Sequence, residues 1–89
     1  MRFEYDPAKS AANKAKHGID FEEAQALWDD PAYVTTLVTT NGEPRFLVVG
    51  RIGEKIWTAV TTDRGGVTRI ISVRRARDYE EEKYQRGRV

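Results

Sequence analysis

The sequence predicts an α+β fold in the order βααββββα, a single domain over residues 1–89. Three observations carry this. Two segments with helix caps follow one short strand-like stretch. From Tyr33 the apolar period changes to two, broken by turn residues at short intervals. A charged, helix-favouring segment closes the chain.

Residues 2–5, Arg-Phe-Glu-Tyr, alternate as a short strand does. Asp6-Pro7 supplies an N-cap and a proline at the first helical position. Ala8, Ala11, Ala12, Ala15 and Ile19 then recur at helical spacing. Gly18 is placed to end that helix in the left-handed conformation. Asp20 with Glu23 makes a capping-box pattern for a second helix. Phe21, Ala24, Leu27 and Trp28 form its apolar stripe, and Asp29-Asp30-Pro31 stops it.

Strands are expected over 33–40, 45–52, 56–62 and 67–74, with turns at Asn41-Gly42-Glu43-Pro44, Gly53-Glu54-Lys55 and Asp63-Arg64-Gly65-Gly66. Connections this short join neighbours, so the four strands form an antiparallel meander. Residues 76–86 favour a charged helix ending near Gly87. The two N-terminal helices are expected to cover one face of the sheet. The pattern leaves open where the first strand joins.

Composition excludes several classes. Without cysteine there is no disulfide framework and no thiolate metal site. No segment approaches the roughly 18 apolar residues that span a bilayer. The opening MRFEYDPAK lacks the apolar stretch of a signal peptide, so the expected compartment is the cytoplasm, with no membrane partner. Net charge is only +1, but its distribution is uneven. Residues 1–44 hold four basic and eight acidic side chains, and residues 45–89 hold eleven and six. The stretch 64–77 has five arginines and no acid, which suggests an anionic ligand on one face.

Some of these residues suit work on a phosphodiester, and the resemblance drawn below implies its cleavage in RNA without a metal. That reaction needs a base for the ribose 2′-hydroxyl, an acid for the leaving 5′-oxygen, and fixed positive charge on the phosphorane-like transition state. Arginine fits the last role because its planar fork pairs with phosphate oxygens bidentately. Arg45 and Arg51 share one face of their strand, and Arg64 lies in the turn before the last strand. Arg74 sits at the end of that strand, and regular alternation points Arg69 to the opposite face from it. An arginine in a half-buried strand equally suits a structural ion pair, with Glu43 or Asp63 as partners. His17 is the only histidine, and Lys9, Asn13, Lys16 and His17 are expected to share a polar helix face. His17 also suits a plain helix-end role. Tyr84 fits either base stacking or a core anchor, while Trp28 and Trp57 read as core. There is no HExxH, paired-acid metal set or Ser-His-Asp set, so no metal or other cofactor is expected.

Four signals together resemble the BrnT toxins across nearly the whole chain. They are Lys16-His17-Gly18 followed by Phe21-Glu22-Glu23-Ala24; Glu43-x-Arg45; Arg69-Ile70-Ile71-Ser72-x-Arg74-x-Ala76; and the late Glu80 and Tyr84. Two positions depart from the pattern. Tyr5 stands where tryptophan is frequent, and residues 80–82 are all Glu where Glu-Arg is frequent. The resemblance implies a RelE-like fold and a growth-arresting, RNA-cutting toxin of a type II toxin–antitoxin system. It also implies a BrnA-type antitoxin with a ribbon-helix-helix part, through which alone the complex meets promoter DNA. Within that reading, Arg64 and Arg74 are the expected transition-state partners and His17 the expected proton-transfer group. Lys16, Arg45, Arg69 and Tyr84 are expected to contact RNA, and Arg64→Ala or Arg74→Ala is expected to lower cleavage without unfolding the chain. The rival reading is a non-catalytic module that uses its basic face to hold nucleic acid or an acidic protein.

Overall fold

The computed structural model describes residues 1–38 and 42–87. Strand β1 (Arg2–Glu4) leads into helix α1 (Pro7–His17) and a short helix α2 (Glu23–Asp29), which is 3-10 in form. Strands β2 (Val34–Val38), β3 (Arg45–Ile52), β4 (Lys55–Arg64) and β5 (Val67–Arg75) follow, and helix α3 (Asp78–Gly87) closes the fold. The end of the strand expected over 33–40, and Asn41 of the next turn, lie outside the described residues. The five strands form one sheet in the order β1-β5-β4-β3-β2. The meander is antiparallel as expected, and β1 adds to its edge in parallel with β5. The architecture is α+β and consistent with a RelE-like fold.

The local signals act as read. The Asp6 carboxylate accepts from the Ala8 N–H at 2.9 Å, and Gly18 closes α1 at φ 82°. Asp20 and Glu23 form the full reciprocal box: the Asp20 carboxylate accepts from Glu23 N–H at 2.7 Å, and the Glu23 carboxylate from Asp20 N–H at 3.0 Å. The main core lies between the α1–α2 layer and one sheet face. Ile19, Phe21, Ala24 and Leu27 meet Val48, Trp57, Ala59, Ile70 and Val73 there. Phe21 meets Tyr5 edge-on at 5.7 Å, so Tyr5 serves as the aromatic anchor of the first strand's end. Trp57 is buried in this core, and the half-buried Trp28 packs edge-on against Phe3 at 4.8 Å.

Helix α1 differs from expectation in which face it buries. Ala8, Ala11, Ala12 and Ala15 are exposed, whereas Ser10 and Asn13 are buried. Asn13 therefore does not share an outward polar face with Lys9 and Lys16. The reason lies at the sheet edge. Among the described residues, β1 pairs with β5 only over residues 67–69, and no strand pairs with the edge beyond it. The Asn13 amide stands in for that strand. It donates to the Val73 carbonyl at 2.9 Å, accepts from the Val73 N–H at 3.2 Å, and also donates to the Ile19 carbonyl at 2.8 Å. Ser10 Oγ accepts from Phe21 N–H at 2.9 Å. A buried methyl is worth about 0.8 kcal/mol, whereas each unsatisfied buried peptide group costs about 1–3 kcal/mol, so the polar side turns inward.

Asn13→Leu keeps the branching of the side chain but orphans both main-chain groups of Val73. It is expected to destabilise the fold by about 2–4 kcal/mol, read from urea unfolding. Ala11→Ser, on the exposed side of the same helix, is expected to change stability by less than about 0.5 kcal/mol.

Candidate active site

The second sheet face carries the arginines. Side chains directly opposite on paired strands share a face. Arg69 lies opposite Thr62, Arg74 opposite Thr58, and Arg64 opposite Val67, with Thr58, Thr62 and Arg64 on one side of β4. Arg45, one residue before the Phe46–Thr61 pair, joins them on β3. Arg69 and Arg74 thus point the same way, which corrects the alternation expected from sequence. The register of β4 and β5 shifts by one at Val60/Thr61: Thr61 faces Ile70, Val60 faces Ser72, and Ile71 is the extra residue. A bulge of this kind inverts the side-chain parity beyond it.

Arg64, Arg69 and Arg74 each hold a carboxylate. Arg64 grips Glu43 with both arms of its fork, Nε to Oε2 at 3.1 Å and Nη2 to Oε1 at 3.0 Å. That bond, with the further charges of Arg64, Arg45 and Arg69, holds the Glu43 carboxyl below its ordinary range. Arg69 Nη1 donates to Glu4 Oε2 at 2.9 Å. Arg74 donates to both oxygens of Glu80, at 2.7 and 2.9 Å. Of the two partners expected for a structural pair, Glu43 takes Arg64, and Glu4 and Glu80 are the partners that sequence reasoning missed. Glu4 is recruited by a parallel strand pairing that leaves no local signal.

The arginines fall into two groups. Arg45, Arg69 and Glu4 form a row across three strands, with Arg64 two residues further along β4 from Thr62. Arg74 sits opposite Thr58, six positions from Arg64 on β4, or roughly 20 Å. Arg64 and Arg74 therefore cannot hold the same phosphate. His17 ends α1 on the other layer of the molecule, half-buried, and Lys16 beside it is exposed. The expected set of His17, Arg64 and Arg74 is not brought together. Tyr84, expected among the RNA contacts, is only 1% exposed; it packs with Val49 and Ile56 and donates its hydroxyl to Asp30 Oδ2 at 2.6 Å. Among the described residues no group of three His, Asp or Glu side chains is placed to hold a metal ion, and no helix is long and apolar enough to cross a membrane.

A family model described as the ribonuclease toxin BrnT of type II toxin–antitoxin systems matches residues 5–80. The chain belongs to the BrnT family. No curated protein gives a significant match. The BrnT chain is accordingly a ribonuclease toxin, with a cognate antitoxin and RNA as its substrate.

In this BrnT chain Arg74 has a structural task. Glu80 is 3% exposed, and its carboxylate takes bonds from Arg74, from Thr58 Oγ1 at 3.0 Å and from Arg77 N–H at 2.8 Å. Burial works against the charge, but the bonds from Arg74, Arg77 and Thr58 outweigh it and hold the carboxyl at about 2. These contacts fasten the start of α3 to β4 and β5, while Tyr84 and a Lys83–Thr36 bond of 2.7 Å fasten its second half.

The expectation that Arg74→Ala leaves stability unchanged is therefore revised. The variant strands a buried carboxylate and is expected to lose about 3 kcal/mol or more. A carboxyl held near 2, against about 4.3 in the unfolded chain, stabilises the fold above the unfolded value and loses that contribution as pH falls through the folded one. The melting temperature is expected to drop between about pH 4.5 and pH 2. In Glu80→Gln that part of the drop should be missing, as thermal melts across the range will register.

Proposed function

We propose that the toxin is a metal-independent endoribonuclease whose RNA lies across the arginine-bearing sheet face, and that cleavage leaves a 2′,3′-cyclic phosphate and a 5′-hydroxyl. The observation that carries this reading is the convergence of Arg45, Arg64 and Arg69 around one end of that face. Within it, Arg64 and Arg69 bind the scissile phosphate and the charge that develops on it, and Arg45 holds a neighbouring phosphate. Glu43 and Glu4 keep the guanidinium groups in place before RNA arrives. An exposed pair such as Arg64–Glu43 is worth little by itself, so RNA phosphate displaces the carboxylate at small cost. Arg74 serves mainly through Glu80, and His17 remains a helix-end residue.

The partner that fits this face is a BrnA-type antitoxin with a ribbon-helix-helix part, acting in the cytoplasm. It lays acidic and apolar residues over the same arginines and carries the complex to promoter DNA through its own DNA-binding part.

Purified toxin is expected to degrade RNA in the presence of EDTA. Loss of activity with chelator and recovery with Mg²⁺ would overturn the metal-free mechanism, and RNA bound but never cut would favour a binding module. Arg64→Ala and Arg69→Ala are expected to slow cleavage roughly 10²-fold, with the Arg64 variant melting close to the parent. His17→Ala is expected to stay within a few-fold of the parent rate. For the antitoxin, hydrogen exchange should show residues 64–77 protected in the complex; unchanged exchange there would refute direct masking.

A further inference from the structure

We infer that Glu4 is the general base of this ribonuclease, accepting the proton of the ribose 2′-hydroxyl. The inference rests on the reading that RNA lies on the arginine face. A base for that reaction must share the face with the phosphate-binding guanidinium groups and keep an acceptor oxygen open to substrate. His17 belongs to the opposite layer. Three carboxylates among the described residues serve the arginine face: Glu4, Glu43 and Glu80.

Their environments separate them. Glu80 is buried, and its oxygens are taken by Arg74, Thr58 and Arg77. Glu43 spends both oxygens on the fork of Arg64. Glu4 gives a single oxygen, Oε2, to a single donor, Arg69 Nη1, and its side chain is 39% exposed. Among the described residues nothing donates to Oε1. The bond from Arg69 thus fixes the carboxylate plane and leaves one oxygen free. The remaining nitrogens of Arg69 are equally open, and the Arg64 charge acts on the same carboxylate. Arg2, on the same side of β1 two residues earlier, adds a third positive charge nearby. A phosphate held between Arg64 and Arg69 places the adjoining ribose next to Glu4, at the end of the row on the edge strand.

The step balances without a further reagent. Glu4 Oε1 takes the 2′-hydroxyl proton as the 2′-oxygen bonds to phosphorus. The bond from phosphorus to the 5′-oxygen breaks with its electron pair, and that oxygen takes a proton from water. Protonated Glu4 returns its proton to solvent, leaving the cyclic phosphate and the free 5′-hydroxyl.

The test compares the parent with Glu4→Gln on a short single-stranded RNA in EDTA. Binding is measured separately on the same oligonucleotide carrying 2′-O-methyl groups, which has no 2′ proton to lose. Glu4→Gln should cleave at least 10²-fold more slowly yet bind the methylated strand as tightly as the parent or more so, because one negative charge has gone. Cleavage within about threefold of the parent would overturn the assignment, and so would a loss of affinity as large as the loss of rate, which would mark Glu4 as a mere holder of Arg69. Should the amide variant melt early, Glu4→Asp keeps the charge and withdraws the oxygen by one methylene. It is expected to slow cleavage roughly tenfold, and full-rate cleavage by it would also overturn the assignment. A parent that leaves RNA intact in chelator refutes the metal-free reading and the base with it, whereas a fast parent with equally fast variants refutes Glu4 alone.

Discussion

Strand β5 has to serve two faces with residues spaced an odd number apart. Ile70 and Val73, three positions apart, are both buried in the core under the N-terminal helices, at 1% and 0% exposure. Arg69 and Arg74, five apart, both lie on the other face. A regular strand, with its period of two, can satisfy neither pair. The one extra residue at Ile71 satisfies both at once, and it does so opposite Val60 and Thr61, in the middle of the longest strand pairing. Without the bulge, a core side chain would be pushed into water or an arginine into the core.

The other features of the site follow from that bulge. β1 pairs with β5 only on the near side of it, through Glu4 opposite Arg69. Beyond it no strand among the described residues pairs with the edge of β5, and the Asn13 amide of α1 takes over at Val73. One end of the sheet face thus carries Glu4, Arg69, Arg64 and Arg45, and the other carries Arg74 locked to Glu80. The first end is held by part-exposed pairs that a competing anion can exchange, while the second is a buried pair whose loss would cost folding energy. The same residue type therefore has different work at the two ends, set by the exposure of its partner carboxylate rather than by its own chemistry.

Much of this was legible in the sequence because it is local. The Asp6 and Asp20 caps, the Gly18 stop, the order of elements and the bounds of β3 all depend on neighbours within a few residues, and they hold. Three features depend on residues far apart in the chain and were not legible. The bulge leaves no mark in a run as uniformly apolar as Ile70-Ile71. The inward turn of Asn13 depends on a gap in pairing some sixty residues away. The partner of Arg69 depends on β1 joining the sheet in parallel, which no turn residue encodes. Regular alternation, applied through an unseen bulge, split Arg69 from Arg74. His17, the lone histidine, lies at the end of α1 in the layer set apart from the arginine face, a separation that sequence spacing does not encode.

A site built on arginine–carboxylate pairs also explains how so small a domain keeps its cationic face without a large core. Eleven basic side chains in the second half of the chain would repel one another if left bare. Glu4, Glu43 and Glu80 neutralise three of them in the free protein. Two of these carboxylates come from the first half of the chain, one from the first strand and one from the turn before β3. Closing the sheet with β1 therefore does more than add an edge. It delivers a negative charge to the edge of the arginine face, so that the pairing of β1 with β5 and the pairing of Glu4 with Arg69 come together. An antitoxin that offered carboxylates to the same arginines would extend a pattern the toxin already uses on itself.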